Sequence, residues 1–289
     1  MGEQHAALEL ALACDGSRTR PQRALATPPL QLSRARYDDP ADSTRLSMTL
    51  IHLGGVLAGD QYDLTVDVGT GAKAVVAAAA ATQIYSMPQG SAEQRTTIRA
   101  AAGASLHWLP GAQLLFAEAE YRQSTRVELA AGAFVMLGEL LVPGRLARGE
   151  RWRFRRYESL IELADDGGRL LAAERIVIEP GRRSPAIPGV MGAFAVMGTL
   201  WLLGDQLDAE RAARWISAHG GTSVSAAILP AGCGLAVRVL SDGLAAAQAA
   251  LRHCYTAMAS AGLLPRTSGA VAGSGGLFDS SFLDRQRRS

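Results

Sequence analysis

The sequence predicts a mainly β domain that carries two α-helices near its C-terminal end. Three observations support this. In "YDLTVDV", Tyr62, Leu64, Val66 and Val68 alternate with Asp63, Thr65 and Asp67, the period-two pattern of a half-buried strand. In "YESLIELADDGGRLLAAERIVIEP", two apolar-rich runs flank Asp165, Asp166, Gly167 and Gly168, residue types that accept the positive φ of a hairpin turn. Short strand-like runs recur about every ten residues between 24 and 200, a spacing that indicates layered sheets.

Taken in order, residues 1–23 read as a partly ordered N-terminal segment, 24–264 as the β domain and 265–289 as a disordered Gly/Ser-rich tail. The opening "MGEQHAALELALACDGS" has no basic flank and carries Glu9 in its apolar run, so it does not fit a signal peptide. "HLGGVLAGD" concentrates Gly54, Gly55 and Gly59 before Asp60, yet matches neither the dinucleotide nor the P-loop pattern and leads into a strand instead of a helix. "AVVAAAAATQIY" leaves a buried strand and a short helix both open, while "TTIRAAAGASLHWLP" and "QSTRVELAAGA" add strand candidates. Ala186 to Gly204 has no charge and approaches the length of a membrane span, but Pro188, Gly189, Gly192 and Gly198 make it a poor helix. It reads as one or two buried strands with glycine bends. "DQLDAERAARWISAHG" has acidic residues at its start and closes on Gly220, a helix signature. "SDGLAAAQAALRHCYTAMASAGLLP" repeats it, with Ser241 or Asp242 as cap, and "AAILPAGCGLAVRVL" between them reads as a hairpin.

Composition narrows function. A chain of 289 residues that is 48% hydrophobic buries a substantial core, and a net charge of +2 supplies no global attraction to nucleic acid. Cys14, Cys233 and Cys254 show no metal-finger spacing, and an odd, sparse count fits a reducing compartment; a cytoplasmic protein with no membrane attachment is expected. No H-E-x-x-H, H-x-H or G-x-S-x-G occurs.

Carboxylates are the better candidates. Asp60, Asp63 and Asp67 fall within eight residues, and Glu139 sits in the apolar run "FVMLGELLVPG", where burial would demand a partner such as Arg145. These acids read either as ion pairs that fix turns or as the polar lining of a channel for a hard or borderline cation. "GRLARGERWRFRR" holds six arginines; as a strand, "RWRFR" would put Arg151, Arg153 and Arg155 on one face and Trp152 and Phe154 on the other.

The order "GGVLAGD", "ATQIY", "LHWLPGAQLLFAEAEY", "LGELLVPGRLARGE", "ERIVIEP" and "GVMGAFAVMGTLW" resembles the urease accessory protein family UreD, also called UreH, from about residue 24 to about 260. The resemblance implies a helical stack of short strands, β-solenoid-like, and a non-catalytic scaffold. It would bridge apo-urease to UreF and the GTPase UreG, as a dimer of UreD–UreF pairs. The resemblance also implies that no cofactor is held stably and that nickel passes through a polar tunnel. Carried over residue by residue, Gly54, Gly55, Gly59, Arg145 and Glu150 form structural turns. Asp60, Glu139 and Glu174 match family positions and, together with Asp63 and His107, are the candidates for nickel transit or tunnel lining, with no firm metal ligand among them.

The chain departs from the family at Leu53, where relatives place proline, and at Gly111-Ala112, where they commonly place glutamate. A threonine-rich stretch of the family is reduced to Thr82 and Gln83. The alternative to a scaffold is an enzyme with a carboxylate site around Asp60, Asp63 and Glu139.

Overall fold

In a computed structural model, residues 4–37, 42–221 and 223–265 are described. The chain runs through β1 (His5–Cys14), β2 (Thr19–Ala26), β3 (Leu30–Leu32), β4 (Leu46–His52), β5 (Gln61–Val68), β6 (Lys73–Ala78) and β7 (Thr82–Ile84). It continues through β8 (Ala92–Ala100), β9 (Ser105–Leu109), β10 (Ala112–Leu115), β11 (Glu120–Leu129), β12 (Phe134–Val142), β13 (Arg156–Asp165) and β14 (Leu170–Ile178). The last elements are β15 (Val196–Leu203), α1 (Ala209–His219), β16 (Val224–Ile228), β17 (Gly234–Ser241) and α2 (Leu244–Ser260).

The strands form two stacked sheets, and the chain alternates between them. One sheet has the order β14-β13-β11-β8-β5-β1-β2, the other β16-β17-β15-β12-β9-β6-β4-β3, with β7 and β10 attached at a corner. Neighbours β1, β5, β8, β11 and β13 run parallel, as do β4, β6, β9 and β12. Each return trip from one sheet to the other adds one rung, so the molecule is the β-solenoid-like stack with two C-terminal helices that the family resemblance implies. Stacking in register turns equivalent positions of successive strands into ladders across the sheet.

The ten-stranded sheet is covered on both faces. Its inner face packs on the other sheet through residues such as Leu106, Val135 and Leu137, and its outer face packs under the helices through Leu200, Leu202, Val237 and Val239 against Leu251, Tyr255 and Met258. This double burial explains the uncharged run. The loop before β15 supplies the glycine bends, and at Gly198 a Cβ would stand 2.9 Å from Leu251 Cδ1, so glycine lets α2 approach β15. The seven-stranded sheet has one dry face only. Its outer face carries cross-strand ion pairs, among them His5–Asp63 at 2.8 Å and Arg99–Asp67 at 3.1 Å.

Both predicted helices and both hairpins form. Asp208 caps α1 by accepting from the Arg211 N–H at 3.0 Å, whereas α2 starts at extended Gly243 without a side-chain cap, so neither Ser241 nor Asp242 serves as its N-cap. "AVVAAAAATQIY" resolves as β6 and β7 because each pairs in the ten-stranded sheet. Residues 4–23 contribute more than a segment ahead of the domain. β1 sits between β2 and β5, with Leu8, Leu10 and Leu12 buried between the sheets. The tail expected to be disordered lies outside the described residues from 266 onward. "RWRFR" is a loop and not a strand. Trp152 takes φ +56°, Phe154 is buried, and Arg151 and Arg155 donate to the carbonyls of Ala193 and of Pro88 and Gly90. The arginines staple loops together; they do not form a cationic stripe.

Candidate functional site

Inside the sandwich, the character of the inner face changes along the strands. Near their C-terminal ends the ladder Leu10–Val66–Ile98–Val127–Leu163 is wholly apolar. Four residues earlier on each strand, the register aligns Tyr62, Gln94, Gln123 and Ser159, and the ladder between them passes from Thr96 and Thr125 through Ile161 to Glu174. Successive side chains on such a ladder stand about 4.8 Å apart, so four positions make a polar track roughly 15 Å long.

Opposite this track, the inner face of the ten-stranded sheet supplies Glu139, Thr199 and Arg238, in register across β12, β15 and β17. Gln123 joins the two sheets. Its Nε2 donates to Glu139 Oε1 at 2.9 Å and lies 3.0 Å from the Tyr157 hydroxyl and 3.1 Å from Ser159 Oγ. Gln113, on β10, donates to Gln123 Oε1, and Tyr121 donates to Gln94 Oε1 at 3.2 Å. Gln94, Thr96, Gln113, Gln123, Thr125 and Glu139 share a narrow cleft whose interior, about 10 Å³, holds roughly one water. At the far end Arg238 Nη2 donates to Glu174 Oε1 at 2.6 Å, and both side chains are about a third exposed.

Burial pushes the Glu139 carboxyl up to about 7, with repulsion from Glu174 adding to it and Arg238, Ser159 and Gln123 opposing it. Tyr157 and Tyr121 are raised by burial and by the same carboxylate. The track therefore holds one group that exchanges a proton near neutrality, flanked by amides and hydroxyls that both donate and accept. Such a lining suits a partly hydrated cation or a proton.

The structure divides the sequence-derived candidates. Glu139 and Glu174 belong to the track. Asp60 stands at its other end, beyond Tyr62, and is fully engaged in holding a turn. It accepts from the Leu57 N–H at 2.8 Å, the Gln4 N–H at 3.3 Å and the Tyr62 hydroxyl at 2.9 Å. Asp63 points to the opposite, solvent face, paired with His5 and Arg95. The three carboxylates of the enzyme alternative thus do not converge. His107 is buried under the helices, against Phe134 and 3.5 Å from the Tyr255 hydroxyl, on the face of the ten-stranded sheet away from Glu139. Burial, helped by Arg45, lowers its pKa to about 3, so it stays neutral and belongs to the core. Arg145 pairs with Glu150 instead of Glu139, Nε to Oε2 at 3.0 Å, and its guanidinium lies 4.6 Å over Phe116. Burial alone would raise Glu150, but Arg145 and the Ala117 N–H hold it below the ordinary carboxylate range.

The glycine-rich turn has a steric explanation. Gly54 and Gly59 take φ of +85° and +87°, and a Cβ on Gly55 would lie 2.2 Å from Tyr85 Cε2. Gly111 takes φ +86° with Ala78 Cβ only 2.9 Å from where its own would be, so no side chain enters the cleft there; Gln113 provides the polar group instead. Sequence reasoning missed Gln94, Gln113, Gln123, Tyr121, Tyr157 and Ser159. Except for Gln113 on β10, their signal was the polar residue at an inward position in each of "AEQRTT", "YRQST" and "RYES", visible only once these strands are stacked.

Comparison with known proteins decides the family. The family model described as UreD urease accessory protein matches residues 4–268. The chain belongs to the UreD urease accessory protein family. It is 34% identical to the urease accessory protein UreD of Haloarcula marismortui over 233 residues, 80% of this chain and 78% of that relative. It is 38% identical over 235 residues to the UreD of Anaeromyxobacter sp. strain Fw109-5, covering 79% and 77% of the two chains. A third relative, UreD 2 of Streptomyces griseus, is 32% identical over 255 residues, 85% of this chain and 87% of its own. Membership sets aside the enzyme alternative and makes this UreD-family chain an accessory factor of urease. No helix among the described residues is long and apolar enough to cross a membrane.

Proposed function

We propose that this chain is a cytoplasmic scaffold of urease maturation that bridges apo-urease to UreF and the GTPase UreG, in a dimer of UreD–UreF pairs. Nickel, its cargo, moves along the inter-sheet polar track to the urease site. The observation that carries the transit reading is the ladder of Gln94, Gln123 and Ser159 facing Glu139 between two sheets whose other inner positions include the apolar Ile98, Val127, Leu137 and Trp201. A folding domain gains little from such a ladder, because buried polar groups stabilise less than well-packed apolar ones. Among the described residues no three His, Cys, Asp or Glu side chains converge on one point, so the lining favours passage over storage.

The test is co-expression of urease and its accessory proteins with Glu139→Ala or the unchanged chain. We expect the tagged variant to recover its partners normally while the nickel content of urease falls severalfold. Full nickel loading by the variant would remove the transit reading. Loss of partner recovery would instead assign Glu139 to assembly.

A further inference from the structure

The polar track ends on an ion pair whose cation belongs to the protein. Glu174 lies on β14, the edge strand of the seven-stranded sheet, and Arg238 lies on β17 of the ten-stranded sheet, so their contact spans the two sheets at the last rung. Arg238 also directs Nε to Thr199 Oγ1 at 3.4 Å, and Thr199 is the cross-strand neighbour of Glu139. The guanidinium therefore stands within the field of both carboxylates, and its charge acts on Glu139 against that of Glu174. Glu174 and Thr199 contact the guanidinium directly, and Glu139, on the strand next to Thr199, acts on it through its charge; these are oxygen donors of the kind a divalent cation takes, and a guanidinium stands among them.

We propose that Arg238 is a resident counter-ion that prevents the Glu139–Glu174 end of the track from retaining a divalent cation. This inference rests on the transit reading. A lining of unopposed carboxylates binds a divalent ion strongly and releases it slowly, whereas conduction needs sites weak enough to leave. With Arg238 in place, an arriving nickel ion must compete with a tethered cation, so occupancy stays brief. The guanidinium cannot lose its proton near neutrality, so this competition persists across the physiological range.

The test titrates nickel(II) alone into the full-length chain by calorimetry. Arg238→Met should create one nickel site about tenfold or more tighter than any in the unchanged chain. Adding Glu139→Gln should abolish that gain, and Arg238→Lys, which keeps the charge, should bind as weakly as the unchanged chain. A purely structural staple would not produce this pattern. An Arg238→Met chain that melts normally yet binds nickel no more tightly overturns the proposal. Should that variant fail to fold, Arg238→Gln, whose amide still reaches Glu174 and Thr199 without charge, carries the same expectation and the same refutation. Full urease activation by Glu139→Ala would sink the transit reading, while the nickel titration judges Arg238 separately.

Discussion

Two ladders of the seven-stranded sheet lie four residues apart on the same strands, and they do different work. Leu10, Val66, Ile98, Val127 and Leu163 interlock with the opposite sheet and are dry. Tyr62, Gln94, Gln123 and Ser159 are held by hydrogen bonds; Gln94 and Gln123 line a cleft that holds Glu139, Ser159 bonds Gln123, and Tyr62 bonds Asp60. A solenoid repeats whatever its rung position contains, so one architecture yields a hydrophobic seam at one end of the strands and a hydrophilic track at the other. The first supplies the folding free energy; the second is retained at some cost to it.

The contrast is broken most strongly by exchanging effects between the ladders. Ile98→Ala in the dry ladder opens a cavity and should cost about 3 kcal/mol, read from denaturant unfolding, with urease activation falling only as folded protein falls. Gln123→Leu in the polar ladder keeps the volume but leaves Glu139, Tyr157 and Ser159 without their amide partner, so it should cost about 1–3 kcal/mol and still leave a folded chain. It should nevertheless cut nickel loading of urease about tenfold, because Glu139 loses its donor and the sheets lose their link. Nickel loading that falls only as far as folded protein falls, in both variants alike, would mean that the track is simply core.

Proton linkage sharpens the same difference. Glu139 has a folded pKa of about 7 against an ordinary value of 4.5, raised first by burial and then by Glu174. The other titratable groups facing it are Arg238, Tyr121 and Tyr157. Between the two values the folded chain binds more protons than the unfolded one, so this group's contribution to stability declines as pH rises from about 4.5 to about 7 and is level above that. Glu139→Gln removes the decline. The stability of the variant relative to the unchanged chain should improve between pH 5 and 8 by about 2 kcal/mol, after allowance for partial solvent access. A pH-independent difference would refute the raised pKa.

Much of the fold was legible because its signals are local. Alternation in β5, the Asp-Asp-Gly-Gly turn between β13 and β14, and the acidic start of α1 each depend on a few consecutive residues. The β-solenoid arrangement and the place of β1 in the core were not legible from periodicity, since both depend on parallel pairing between strands far apart in sequence. The same limit governed the site. Glu139 stood out as a lone acid in an apolar run, but its partners Gln123, Tyr157 and Ser159 are ordinary polar residues until register stacks them. Arg145 is close to Glu139 in sequence yet bonds Glu150, because the chain turns sharply at Gly144, where φ is +136° and a Cβ would lie 2.4 Å from the Glu150 carbonyl oxygen. Proximity along the chain was the wrong guide there.

The smallest effect belongs to the third set of ladders, on the outer face of the same sheet. Asp67 accepts from Arg99 at 3.1 Å, and Arg99 also pairs with Glu128 at 3.3 Å, all in reach of solvent. Exposed pairs of this kind gain little, because water screens the attraction and two long side chains must be ordered to make it. Asp67→Asn should shift stability by about 0.5 kcal/mol or less, and salt should erase even that. Nickel loading should stay at the level of the unchanged chain, since the side chain projects away from the inter-sheet track. A marked loss of loading with stability intact would show that the outer face takes part in maturation, and the division between a dry ladder, a polar track and a solvated face would have to be redrawn.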